Sequence, residues 1–187
     1  MFNKIVGMTL LGMLLALSGC GGGSITNSFM RKDASLAHIQ TVAVLPLENL
    51  GGAGAPRVRE FVMTQVLATG MFDVVDKGRV DSTLREEALD PGIPIDPTTL
   101  RRLGQRLQAQ AFFLGSVQEA TETRGNAAFQ EITMTLRLVD SETGTLLWQA
   151  SGRGSGYSLA DRLFGMAPKD SFRVSMDLLK KLLGTIQ

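Results

Sequence analysis

Between residues 131 and 138 the chain alternates without a fault: Ile132, Met134, Leu136 and Leu138 are apolar, and Glu131, Thr133, Thr135 and Arg137 between them are polar. Side chains of a strand point to opposite faces in turn, so this stretch lays one face on a core and turns the other to polar surroundings. Asp140-Ser141-Glu142-Thr143-Gly144 then supplies turn chemistry, and Leu146, Trp148 and Ala150 repeat the period on the way back. Upstream, Ala111-Phe112-Phe113-Leu114-Gly115-Ser116-Val117 is a near-continuous apolar run whose glycine marks a bulge or the close approach of another backbone. These stretches predict a three-stranded antiparallel meander in the C-terminal half.

The rest of the chain reads as helices and shorter strands. Thr41-Val42-Ala43-Val44-Leu45-Pro46-Leu47 fits a strand buried on both faces and closed by its proline. After Gly51-Gly52-Ala53-Gly54-Ala55, Pro56 opens a helix that buries Val58, Phe61, Val62, Val66 and Leu67 and stops at Gly70. Met71-Phe72-Asp73-Val74-Val75-Asp76 is a short strand, and Val80, Leu84 and Ala88 stripe a second helix. Asp90-Pro91-Gly92-Ile93-Pro94 breaks it, and Asp96 caps a third helix that buries Leu100, Leu103 and Leu107. Gly152-Arg153-Gly154-Ser155-Gly156 frays the last strand, and a final helix over 169–186, capped by Asp170 or Ser171, buries Phe172, Met176, Leu179 and Leu183. The expected fold class is α/β (α+β), a mixed sheet of about five strands with helices packed on it.

The first 20 residues have a different purpose. One positive charge at Lys4 precedes Ile5 to Leu17, an apolar stretch whose only polar side chain is Thr9. As a helix it rises about 20 Å, too little for a bilayer core of roughly 30 Å, which favours a cleaved signal over a span. Leu17-Ser18-Gly19-Cys20 resembles the lipobox of bacterial lipoproteins, which implies cleavage before Cys20 and acylation of its thiol. Residues 1–19 are then a signal peptide, residues 20–38 the acylated Cys and a flexible tether, and residues 39–187 the folded domain. Removing residues 1–19 from 187 leaves 168, enough for one domain. Gly21 is not the Asp that retains many such lipoproteins at the inner membrane, so the resemblance implies an outer-membrane, periplasm-facing anchor.

Composition removes several functions. The formal charge of +1 falls to zero with Lys4 gone, and Arg101, Arg102 and Arg106 at helical spacing read as a solvated face, so no nucleic-acid partner is expected. One Cys and one His, His38 beside the tether, leave no metal site and no Ser-His-Asp arrangement. Glu86 with Glu87 and Asp140 with Glu142 read as solvated charge, not as paired catalytic carboxylates. The glycine-rich turn before Pro56 lacks the Gly-Lys-Ser/Thr ending of a phosphate loop. No catalytic residue, metal or cofactor is expected, and the chain is read as a non-enzyme.

Val42-Ala43-Val44-Leu45-Pro46, the run from Gly70 to Asp76, Leu84-Arg85-Glu86-Glu87, the run from Ala109 to Val117, and that from Leu138 to Trp148 together resemble a periplasmic domain. It is the one shared by curli secretion lipoproteins of the CsgG type and peptidoglycan-synthase activators of the LpoB type, and the resemblance covers about residues 40 to 152. It implies a non-enzymatic protein that acts by assembly or by touching a partner. The reading placed first is an assembly or secretion-complex subunit of the CsgG type; the alternative is a regulator that binds a penicillin-binding protein, as LpoB-type activators do. Neither connection, 119–130 or 152–168, offers two alternating strands of membrane length, so a pore is not expected. The expected partners are the membrane through its lipid and a protein of the cell envelope, with a homo-oligomer left open. For the protein partner the candidate surface is the apolar connection bearing Tyr157, Leu159, Leu163, Phe164 and Met166; a lid over the core edge is the competing reading.

Overall fold

In a computed structural model, which describes residues 25–33, 35–52, 54–90, 95–124, 127–157 and 167–186, the buried runs of the sequence become the middle of a sheet. In chain order the elements are β1 (Ile25–Met30), β2 (Thr41–Val44), β3 (Glu48–Gly51), α1 (Ala55–Thr69), β4 (Asp73–Val74), α2 (Lys77–Glu86), α3 (Pro97–Leu107), β5 (Ala111–Arg124), β6 (Ala127–Asp140), β7 (Leu146–Ser155) and α4 (Ser171–Leu183). The seven-stranded mixed sheet has the order β1-β7-β6-β5-β2-β4, with β3 pairing off this path onto β5. β2 runs parallel to β4 and β5, while β5-β6-β7 is the expected antiparallel meander.

Helices cover both faces, but unequally. Val42, Val44, Phe113, Leu136 and Trp148 pack with Val58, Val62 and Val66 of α1 and Val174, Leu178 and Leu182 of α4. On the other face Ala43, Leu45 and Phe112 pack with Val80 and Leu84 of α2 and Leu100, Leu103 and Leu107 of α3. Strands sandwiched by both layers read as continuous apolar runs, whereas β6, with Thr133, Thr135 and Arg137 on its other face, alternates. Asp76, Asp96 and Asp170 cap α2, α3 and α4 by accepting backbone N–H bonds from the first turn.

Several expectations need correction. The sheet has seven strands where about five were expected. The stretch read as a tether contributes β1, which pairs antiparallel with β7 from Ile25 opposite Arg153 to Met30 opposite Trp148. The span 119–130, taken for a connection, belongs largely to β5 and β6, each 14 residues long. The glycines of β7 do not fray it: a Cβ at Gly154 would press on Val174, so a missing side chain lets α4 lie close. Leu67 and Phe172, read as core, are 54% and 52% exposed, because the sheet meets α1 and α4 on the stripes of Val58/Val62/Val66 and Val174/Leu178/Leu182 instead. Gly115 matches its reading, since a Cβ there would overlap the Thr135 carbonyl oxygen of the neighbouring strand.

Candidate functional site

The register divides the sheet into two ends. At one, Ile25, Arg153, Thr133 and Gln118 lie side by side; at the other, Val74, Val42, Ala111 and Asp140 do. The first is called the near end, because the chain enters it from Cys20, and the second the far end. Cys20 itself lies outside the described residues.

At the far end the sheet stops against a shallow apolar depression of about 680 Å³, lined by Leu36, Ile39, Leu67, Met71 and Phe72, with Gln40 and Asp73 among its polar lining. Local backbone builds it. Gly70, left-handed at φ 68°, donates its N–H to Leu67 and ends α1, and the Asp73 N–H bonds to the Gln40 carbonyl at 2.8 Å, which turns Met71 outward. Leu67 and Met71 are 54% and 41% exposed, an unusual pair of large apolar side chains side by side at a surface. Sequence reading missed this site because Leu67 adjoins the Val58-Val62-Val66 stripe; its one-residue offset, about 100° around the helix, was the available signal.

At the near end a cleft of about 910 Å³ lies beyond the C-terminal end of β2, between α1 and α2. Its floor is Arg59, which donates to the Val44 carbonyl and to Asp81, and its charged lining includes Lys77, Arg85 and Asp90. Arg59 is thereby committed to structure. The neighbouring α1 N-terminus is also filled from within: the Glu119 carboxylate lies where a Cβ of Gly54 would sit, with Arg57 3.8 Å from it. The glycines before Pro56 therefore make room for Glu119, which occupies the place a phosphate would take.

The charged groups singled out in the sequence are held in pairs. Arg102 and Arg106 both bond Glu87, Arg106 also bonds Glu86, and Arg101 donates to the Glu142 carbonyl. They tie α2 to α3 and to the β6-β7 turn on a solvent-facing surface, where the arginines stay 39–51% exposed and Glu87 is the more enclosed partner. Asp140 is likewise a turn residue: its Oδ1 accepts from the Glu142 N–H and from the Thr143 N–H and hydroxyl, and its Oδ2 lies 3.2 Å from His38 Nε2. Burial pushes the Asp140 carboxyl up, but the Thr143, His38 and Glu142 bonds outweigh it and hold it below the ordinary carboxylate value. Among the described residues no group of three His, Cys, Asp or Glu is placed to hold a metal, and no helix is long and apolar enough to cross a membrane.

Of the candidate partner-binding residues, Tyr157 is placed and Leu159, Leu163, Phe164 and Met166 lie outside the described residues. The Tyr157 ring sits 5.7 Å from that of Phe129 on β6. The Gly156 N–H donates to Gln130, and the Lys169 N–H to Gly156, both at 2.7 Å, so this connection leaves and rejoins the fold at one point of the near end.

The model of the peptidoglycan-synthase activator LpoB family matches residues 58–153, from α1 into β7 and just over half of the 187 residues. The chain belongs to the LpoB family. The match falls on the LpoB half of the sequence resemblance, and no finding supports the CsgG half that was placed first. Among solved structures, the PelC dodecamer from Paraburkholderia phytofirmans is similar at a TM-score of 0.60 and 20% identity, over 86% of this chain and 96% of that one. Lipoprotein GNA1162 from Neisseria meningitidis is similar at 0.57 and 16% identity, over 79% and 97%. At these identities the likeness is one of fold. No curated protein matches the chain.

Proposed function

We propose that this chain is a lipid-anchored, non-catalytic activator of a peptidoglycan synthase, held at the outer membrane by Cys20, facing the periplasm and binding a penicillin-binding protein. The match of the LpoB family model across 58–153 carries the reading. The paired state of the charged groups supports a binding role over chemistry. The surface best placed to meet a synthase is the far-end depression around Leu67 and Met71, which is apolar, exposed and opposite the end at which the chain enters from its anchor. The test adds the purified domain to a bifunctional penicillin-binding protein from the same cell and follows glycan polymerisation from lipid-linked precursor. Polymerisation should accelerate with saturation. No change in rate, with no co-sedimentation of the two proteins, would refute it.

One observation favours a second reading, a subunit of a homo-oligomeric assembly on the membrane. β1 begins five residues after Cys20, so the domain has little reach towards a partner across the periplasm. The similar PelC is a dodecamer. Mass photometry of the detergent-solubilised protein separates the readings: a single oligomeric species favours assembly, a monomer the activator.

A further inference from the structure

The register of β1 carries an argument about where a bilayer must lie. Ile25 stands level with Arg153, Thr133 and Gln118, and from that level β5 and β6 continue together for six more pairs, from Glu119 opposite Ile132 to Arg124 opposite Ala127. Six pairs at about 3.4 Å each make an overhang of roughly 20 Å, directed away from the far end. Cys20 to Ile25 is five Cα steps, which span at most about 18 Å when fully extended. The overhang is therefore as long as the longest path from the sheet to the lipid.

The base of the overhang is braced. Glu131 pairs with Arg153, the Gln130 amide donates to the Thr121 hydroxyl at 3.1 Å, β7 flanks it as far as Ser155, and Tyr157 stacks near Phe129. Its outer β5 residues Thr121, Glu122, Thr123 and Arg124 are polar, and of the residues opposite them on β6 Gln130 is polar, Phe129 is buried and Ala127 and Ala128 are small, so among the described residues no large exposed apolar side chain is offered to hydrocarbon. We infer that the near end of the domain is a membrane-contact surface, with the outer ends of β5 and β6, around Thr123 and Ala128, resting in the headgroup layer of the bilayer that holds the chain's own lipid. This rests on acylation of Cys20. The contact fixes the orientation: the strands stand off the membrane and the far-end depression faces away from it.

Cys20 is the chain's one cysteine, so once it is acylated a single introduced thiol can be labelled selectively. Full-length protein carrying Thr123→Cys or Glu142→Cys, each with an environment-sensitive fluorophore, is reconstituted into phosphatidylethanolamine/phosphatidylglycerol vesicles containing a headgroup nitroxide lipid. Both sites are exposed, in the hairpin and in the far-end turn. The Thr123 probe should lose most of its emission and the Glu142 probe little. Equal quenching, or stronger quenching at Glu142, would overturn the orientation. Vesicle flotation is read first: protein that does not float, or that floats equally with Cys20→Ala, overturns the anchor itself. A Gly/Ser insert of about 20 residues after Gly22 adds up to roughly 70 Å of reach. It should preserve flotation and abolish the Thr123 quenching, and quenching that survives it would overturn the short chain as the cause.

Discussion

Arg59 donates from both Nε and Nη2 to the carbonyl oxygen of Val44, at 3.0 and 2.9 Å, with its side chain only 5% exposed. Its Nη1 reaches Asp81 at 2.6 Å, so one guanidinium joins the end of β2 to α1 and α2. Arg59→Met keeps the apolar stem but leaves the Val44 carbonyl and Asp81 without their donor. The loss should be about 2–4 kcal/mol in urea denaturation, with a melting point roughly 10 °C lower. An unchanged urea midpoint would show that water replaces the guanidinium at no cost.

Gly115 allows β5 and β6 to approach where a side chain would strike the Thr135 carbonyl. Gly115→Ala should force the strands apart and lower stability by about 2–4 kcal/mol, whereas Gly70→Ala has open space and carries only the cost of a left-handed backbone, about 1 kcal/mol. Equal melting temperatures for the two variants would contradict the packing account.

Asp140 ties acid stability to the β6-β7 turn. Its carboxyl is depressed in the folded chain relative to the unfolded one, so its contribution is present above the unfolded value and is lost as pH falls through the folded one. Wild type should exceed Asp140→Asn in urea midpoint at about pH 7, and the gap should shrink as pH falls below the ordinary carboxylate range. A gap that stays constant over this range would mean that the turn depends on shape alone and not on the ionised carboxylate.

The far-end depression should separate binding from folding. Leu67→Glu and Met71→Glu place charges where the side chains are already exposed, so each should change stability by no more than about 0.5 kcal/mol. Stimulation of the synthase should be abolished. Full stimulation by the double variant would remove this surface from the proposed function.

How much was legible depended on whether a signal was local. Alternation over 131–138 and the apolar runs at 42–45 and 111–117 marked strands because each side chain's face follows from its own position, and Asp96 and Asp170 marked helix starts because a cap satisfies donors within one turn. Gly115 was legible as a close approach for the same reason. The candidate connection at 157–166 rests on composition alone, and the far-end depression as a whole has no local signal, since Leu36, Ile39 and Met71 meet only when β2 and β4 pair.

By itself the sequence determined an α/β domain with its meander and its capped helices. Only the tertiary structure decided that β1 closes the sheet edge, that the arginines near residue 102 are spent on Glu86, Glu87 and the β6-β7 turn, and that Glu119 fills the start of α1. Each of these joins residues far apart in the chain through a strand register or an ion pair. Neither leaves a periodic trace, because the energy of a pairing belongs to both partners and no local stretch carries it alone.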